Sequence, residues 1–561
     1  MEPYQIVLAA AAILAGIIII GLIISYNTKK NRYAILQKSF GRIVNKEMSY
    51  EEYESISHYF RNTVDKDGYY IDDITWNDLG MDEIFLMLNN TNSCVGRDYL
   101  YRMLRTPVTD EDELLERNRV IGRMSRDEKL RTDLMMIFYD IGFTRKISVS
   151  DYMDNLFKIK PASNFLHWFV NVCIVLSLLF TLFVDAPLGV ALIIASCGFG
   201  IISYYKHKSR IDSYFECIRL LAGMVKGAKK ICSINDSELS EYNERLNRCV
   251  RAFAKVSRGS FFVTSGRDHS GSLMDIIFEY VRIFTHIDLI KFNNMLRHIG
   301  ANRDNVYELM DTLGYIEAMI SIASFRQLVP YMCTPKFTVG TDFKISNVYH
   351  LRIKEPQANS ISDCRSILIT GSNASGKSTF LKSVAICAIL AQTVYTCPAD
   401  CYEAPFYRIY SSMALTDSIE SGESYYIVEI KSLKRIVDAA QKQGARVLCF
   451  IDEVLRGTNT VERIAASSEI LKGLSLSNAT CFAATHDIEL THILEKYFAN
   501  YHFTEEVRDG NIYFSYVIHE GRATSRNAIK LLSIMGYEDG ITDRAKEYAD
   551  RFVRTGVWEA L

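Results

Sequence analysis

Three short stretches of this chain carry residue types and spacings that could do chemistry on a phosphate. The first is "SILITGSNASGKST", in which Gly371 to Ser378 fits G-x-x-x-x-G-K-[ST] between a β-rich run and an apolar-periodic helix. Glycines there let backbone N–H groups turn inward on an anion, and the positive end of the following helix favours the same charge. The loop residues Gly371, Ser372, Asn373, Ala374, Ser375, Gly376, Lys377, Ser378 and Thr379 are therefore the candidate cradle. Lys377 is placed to reach the β- and γ-phosphates of a nucleotide, and the Ser378 hydroxyl to sit on Mg²⁺.

The second stretch, "VLCFIDE", is an apolar strand ending in Asp452 and Glu453. Ligands of open α/β sheets bind at that carboxyl edge. Asp452 is the expected second Mg²⁺ contact, and Glu453 the group that orients or deprotonates the attacking water. The third, "TCFAATH", brings His486 to the same edge, where an imidazole can hydrogen-bond a γ-phosphate and sense its loss. Between these lies "LTDSIESGESYYIVEIKSLKRI", a Ser-Gly-x-Ser turn opening a helix. Ser421 or Ser424 reads equally as an ordinary N-cap or as a donor with no partner in its own loop.

The elements that must position these groups begin near Asn347, where short β-rich runs alternate with helical ones. That texture predicts a mostly parallel sheet covered on both faces. Upstream, 33–160 and 206–345 show apolar residues at i, i+3, i+4 and i+7 and few prolines, so both read as helical. At 561 residues the chain exceeds one core; the size prior suggests about three or four units. The net charge of −2 supplies no global basic field toward nucleic acid or an anionic surface. The 13 cysteines are scattered singly, with no zinc-type pairing, and read as reduced thiols packed as small hydrophobes.

Three further segments are apolar enough to span a bilayer: Ile6 to Ile24, Phe165 to Val184 and Pro187 to Tyr205, the last two joined by "DAP". The first lacks the basic n-region and the cleavage site of a signal peptide. Lys29, Lys30 and Arg32 follow it, Lys158 and Lys160 precede the second, and Lys206, Lys208 and Arg210 follow the third. By the positive-inside rule the bulk of the chain is cytoplasmic and its N-terminus outside, in what reads as a prokaryotic plasma membrane.

The order "TGSNASGKST", "SGESYYIVEI", "FIDEVLRGTNT", "AATHDIEL" and "VIHEGRATSRNAIKLLSIMGYEDGITDRAKEY" resembles the ATPase domain of the MutS family of DNA mismatch repair proteins, over about 345–550. A second patch, "LMLNNTNSCVGRDYLYRMLRTPVTDEDELLERN", is similar to the start of that family's helical core, with a helix ending near Pro107. The resemblance implies an ATPase that binds ATP and Mg²⁺ in sites shared by two copies. Ser424, with Ser421 as second choice, would then cap the γ-phosphate bound by the other copy, and Asn373 would touch it from within the loop. Arg456 to Thr460 would run along the dimer interface.

The expected organisation is multidomain, α plus α/β. A transmembrane anchor occupies 1–32, a helical core-like segment 33–160, a transmembrane hairpin 161–205, a helical core and lever 206–345, and an ATPase domain with a helical dimerisation tail 346–561. Departures from the family pattern matter as much. The mismatch-reading domain with its aromatic-x-Glu wedge is absent, and fragments such as "HYF" and "FEY" read as core. The residues after the tail are too few for an appended nuclease. The family's His-Pro adenine contact appears as His350-Leu351. Family inheritance implies DNA as partner; the missing reader and the inserted spans point instead to a membrane machine acting on a protein partner, without DNA.

Overall fold

The computed structural model describes residues 3–44, 48–143, 148–211, 214–254, 273–372, 375–413, 425–456, 458–508, 511–523, 528–558 and 560. The chain divides into two compact units. One comprises Met1–Val64, Leu88–Arg102 and Arg119–Leu328; the other Asp65–Met87, Met103–Asn118 and Val329–Leu561.

The first unit is helical. It opens on one uninterrupted helix, Pro3–Ser39, and includes the pair Phe165–Phe183 and Ala186–Ile211. Both helices of the pair are long and apolar enough to cross a membrane, over Phe165–Phe183 and Ala186–Ser209. They leave Trp168, Leu182, Phe183, Ile194 and Ile202 exposed. Asp185 of the "DAP" turn caps the second helix, its Oδ1 accepting from the Leu188 amide at 2.8 Å. Elsewhere in the unit the buried Glu317 carboxylate accepts from the Ser93 amide at 3.1 Å, satisfying the start of the helix Cys94–Arg105.

The second unit holds every candidate residue for phosphate chemistry. Its strands in chain order are β1 Lys336–Phe337, β2 Phe343–Val348, β3 Asn359–Asp363, β4 Ser366–Thr370, β5 Cys401–Ala404, β6 Tyr407–Ser412, β7 Arg446–Asp452, β8 Ala479–Thr485, β9 Phe498–Arg508 and β10 Asn511–Glu520. Six form one sheet in the order β10-β9-β4-β8-β7-β6, and the other four a smaller sheet, β1-β5-β2-β3. In the larger sheet β6, β7, β8, β4 and β9 pair in parallel, and β10 returns antiparallel on β9. β4 and β8 are buried along their whole length, as strands covered on both faces must be.

One face packs Leu368, Val447, Ile451 and Ala483 against Leu433, Ile436, Leu471 and Leu490 from the helices Tyr425–Gln441, Thr460–Leu476 and Ile488–Ile493. On the smaller sheet, Phe343 sets its ring 5.1 Å from Phe482 of β8, edge to face. The helix Lys377–Thr393 is buried over most of its residues.

The boundaries differ from those the sequence suggests. The unit starts at Val329 and also takes in 65–87 and 103–118 from the upstream helical stretch. Specific polar bonds hold them. Asp78 Oδ2 accepts from Ser411 Oγ at 2.7 Å and from the Met413 amide at 2.9 Å. Tyr69 donates to the Ile409 carbonyl at 2.8 Å, and the Val108 amide donates to the Gln392 carbonyl at 2.9 Å. Helical periodicity reports that a helix has an apolar face, not which core that face joins.

Candidate functional site

The site forms at the carboxyl ends of β4, β7 and β8. β4 delivers the chain into Gly371 at φ +150° and, past the turn, Gly376 at φ +108°, immediately before the helix that starts at Lys377. Only glycine adopts such angles without strain. A Cβ on Gly371 would stand 2.9 Å from Ser375 Oγ and 3.1 Å from the Phe503 carbonyl, so the loop leaves no room for one.

The Lys377 side chain is buried and folds back over this loop. Its ammonium donates to the Gly371 carbonyl at 2.7 Å and the Ser372 carbonyl at 2.8 Å, and lies 3.3 Å from His486 Nε2. Burial pushes its pKa down to about 8, against the pull of Asp452, Glu453 and Glu505. A cation held this way, at a helix start, is set to gain from an incoming anion. Ser375 Oγ is buried in the same loop and has no hydrogen-bond partner among the described residues, a polar atom left for a ligand to satisfy. Ser372 Oγ bonds to Glu505.

β7 ends at Asp452, and the next residue, Glu453, adopts a left-handed φ of +60°, as does Leu455 at +59°. Each such non-glycine residue costs about 1–3 kcal/mol and persists only where its surroundings enforce it. The Glu453 carboxylate is held on both oxygens, by His486 Nε2 at 2.9 Å and by Arg456 Nε at 2.7 Å. His486 is the leading cause of its lowered pKa, with Arg456 adding to it, so the group is kept as the anion a base requires. The Glu453 amide donates to the Ala484 carbonyl of β8 at 2.9 Å, which fixes the two strand ends together. Beyond β8, Asp487 takes Arg463 as an ion pair.

Above these groups opens a cleft of about 730 Å³. Ser375, Gly376, Lys377, Ser378, Thr379, Asp452 and Glu453 line one part; His350, Ile353, Pro356 and Tyr516 line another. The volume falls in the range of small-molecule sites and suits a nucleotide, phosphates on the loop and base against the apolar part. His350 is pushed down to about 4, chiefly by burial and further by Arg352 and Lys382, so it enters the cleft as a neutral ring. Ser378 and Asp452 share the cleft and fit Mg²⁺, which takes one or two protein oxygens and the rest from phosphate and water.

The structure thus brings Gly371, Ser372, Ser375, Gly376, Lys377, Ser378, Thr379, Asp452, Glu453 and His486 to one place. Asn373, Ala374, Ser421 and Ser424 lie outside the described residues. Arg456, expected along a dimer interface, pairs with Glu453 of its own chain. The sequence reading missed Ile353, Pro356, Tyr516 and Glu505: they come from loops and the last two strands, and no motif marks them.

A phosphate loop between a buried strand and a helix, with two acids at the end of a parallel strand one place further along the same sheet, defines a nucleotide-binding domain of the phosphate-loop class. Residues 367–553 match the model of MutS domain V. Over 272 residues the chain is 31% identical to the DNA mismatch repair protein MutS of Thermosipho melanesiensis, covering 46% of this chain and 32% of that protein. It is 35% identical over 190 residues to the MutS of Pseudothermotoga lettingae, covering 33% and 23%. With the human MutS protein homolog 4 it shares 26% identity over 388 residues, covering 61% and 39%. The matches thus span about a quarter to two fifths of the relatives' length. The part of the chain that matches the family model, residues 367–553, is thus a MutS domain V.

Proposed function

We propose that this chain is a membrane-anchored ATPase of MutS type. The observation that carries the reading is the convergence of Lys377, Asp452 and Glu453 on one cleft at the ends of parallel strands, with His486 set against Glu453 and Lys377. Bound MgATP supplies the reactive phosphoryl group. Lys377 and the loop amides hold its phosphates, and Ser378 and Asp452 hold the cation. Glu453 takes the proton of the attacking water, kept anionic and aimed by His486 and Arg456. Ile353, Pro356 and Tyr516 provide the apolar wall for the base. Ser424, or Ser421, completes the site on a second copy, making ATP the ligand that closes a homodimer.

The similarity to DNA mismatch repair proteins supports DNA as what the dimer holds. The exposed apolar side chains of the helices Phe165–Phe183 and Ala186–Ser209 support a second reading, in which ATP-driven movement acts on the membrane or on a protein partner without DNA. Together with Pro3–Ser39 these helices give the three proposed spans, with the bulk of the chain in the cytoplasm.

The test uses the full chain in detergent. Mg²⁺-dependent phosphate release is expected, and Glu453→Gln should lower it by about 10²- to 10⁴-fold while ATP still binds. Wild-type turnover in that variant refutes Glu453 as base. Mixing Lys377→Ala with Ser424→Ala subunits should restore one shared site, and no recovery refutes completion in trans. Duplex or junction binding that is modulated by ATP and weakens steeply with salt supports the DNA reading; its absence favours the second.

A further inference from the structure

Glu429 lies in the second turn of the helix Tyr425–Gln441 and is 2% exposed. Its Oε1 accepts from the Leu455 amide at 2.7 Å and from the Arg456 amide at 3.3 Å. Oε2 is buried and finds no hydrogen-bond partner among the described residues. A buried carboxylate with one oxygen idle is an expensive way to build a core, so the work of the other oxygen must explain it.

That oxygen meets the strained loop after β7. Glu453 and Leu455 both take left-handed backbone angles, which turn the Leu455 and Arg456 amides toward the helix. Once its amide is held, Arg456 reaches back with Nε to Glu453 Oε2 at 2.7 Å and with Nη2 to the Asp452 carbonyl at 3.2 Å. A second side chain braces the same loop: Ser467 Oγ donates to the Val454 carbonyl at 3.3 Å. Ser467 holds the outer side of the turn, and Glu429 holds the two residues that set the Arg456 guanidinium against the base. In the sequence Glu429 is also five residues past Ser424.

We propose that Glu429 is a positioning residue that locks the loop carrying Glu453 to the helix Tyr425–Gln441, so that the placement of the base depends on the placement of that helix. Resting on the reading of Glu453 as base, this couples the group that performs hydrolysis to the helix that follows Ser424 in the sequence. Glu429 touches neither nucleotide nor water in this scheme; it acts through the Leu455 and Arg456 amides.

The two amides need an acceptor, not a charge, and this separates the variants. Glu429→Gln keeps a carbonyl oxygen in the place of Oε1 and is expected to hold kcat within about threefold of wild type. Glu429→Ala removes the acceptor and should lower kcat by about 10- to 100-fold, the scale of an ångström-sized misplacement, with the ATP dissociation constant, measured with a fluorescent analogue, unchanged within about threefold. Should Glu429→Ala fail to fold, Glu429→Asp, one methylene too short to reach, is expected to show the same loss of kcat. In the Glu453→Gln background, Glu429→Ala should cause no further loss, because the base it positions is already gone.

Wild-type kcat in Glu429→Ala or Glu429→Asp overturns the proposal. So does a loss in Glu429→Gln as large as in Glu429→Ala, or losses that multiply in the double variant, which mark general structural damage. If Glu453→Gln alone leaves turnover intact, the base assignment fails and this inference with it. If Glu453→Gln abolishes turnover and Glu429→Ala keeps wild-type kcat, only this inference fails.

Discussion

Gly376→Ala tests whether the phosphate loop is built around a backbone that only glycine can hold. Gly376 sits at φ +108°, well outside the left-handed well that other residues occasionally enter, and directly precedes Lys377. A Cβ there would stand 3.2 Å from the Tyr516 ring, a contact the ring can relieve by shifting a few tenths of an ångström. The dominant cost is therefore the backbone, about 1–3 kcal/mol. If the loop keeps its shape, the cost appears as lost stability. If the loop relaxes in the free protein, it appears when the nucleotide restores the shape, raising the ATP dissociation constant about 5- to 150-fold.

Gly473→Ala is the matched control. Gly473 lies inside the helix Thr460–Leu476, and among the described residues no atom comes within 4 Å of its added Cβ. Alanine there should stabilise by roughly 0.5–1 kcal/mol. Calorimetric ATP binding and thermal melts of both variants read the two outcomes. A Gly376→Ala protein with wild-type melting and ATP affinity within twofold of wild type refutes the argument.

The remaining expectations concern the parts that support the site. Asp78→Ala removes the acceptor for Ser411 Oγ and the Met413 amide in a buried setting. Each orphaned donor costs about 1–3 kcal/mol, so denaturant melts should show a loss of about 2–6 kcal/mol. Asp78→Asn, which keeps an oxygen, should lose much less, and a loss below about 1 kcal/mol for the alanine variant counts against 65–87 as an integral part of this unit. His350 is held neutral by burial, with a pKa lowered from 6.5 to about 4. A depressed histidine leaves the unfolded chain binding more protons, so its contribution is full above pH 6.5 and is lost as pH falls toward 4. Melting temperatures of wild type and His350→Gln should therefore diverge over that window, wild type falling faster, and parallel curves refute the assignment.

The groups proposed to meet phosphate were legible because each stands at a strand end that sequence texture marks. "SILIT", "VLCFID" and "TCFAAT" are apolar runs too short for helices, and each stops at a residue with chemistry, so strand, edge and function are read together. The rest of the cleft has no such punctuation. Tyr516 sits inside β10, where "NIYFSYVI" announces only a strand, and Ile353 and Pro356 lie in the connection from β2 to β3. Glu429 looks like one more polar residue on an amphipathic helix, and its partners, the Leu455 and Arg456 amides, are 26 and 27 residues away. The attachment of 65–87 was hidden for the same reason: Asp78 and Ser411 are 333 positions apart, and nothing local in either announces the other.

The hairpin of apolar helices is rooted in the helical unit rather than tethered to it. At its entrance Asn164 exchanges hydrogen bonds with Asn293 and Asn294, each at 2.9 Å, and Asn171 donates to the Thr285 carbonyl at 2.8 Å. The buried His167 and His286 imidazoles share an Nδ1–Nδ1 hydrogen bond at 2.9 Å, and His286 Nε2 lies 3.0 Å from the Gly200 carbonyl of the other arm. Tyr204 completes the root by donating to Asp288 at 2.8 Å. Because Nε2 of His286 can only donate to a carbonyl, its Nδ1 in the neutral ring must accept, and His167 must donate. Both arms are thus fixed, in one tautomeric arrangement, to the short stretch Thr285–Asn294. The bonds of His167 to His286, of His286 to Gly200 and of Tyr204 to Asp288 are buried, and each is costly to leave unmade. The two arms are therefore held as one piece with the stretch Thr285–Asn294 of the helical unit, an attachment set by residues more than 80 positions apart that no local sequence pattern announces.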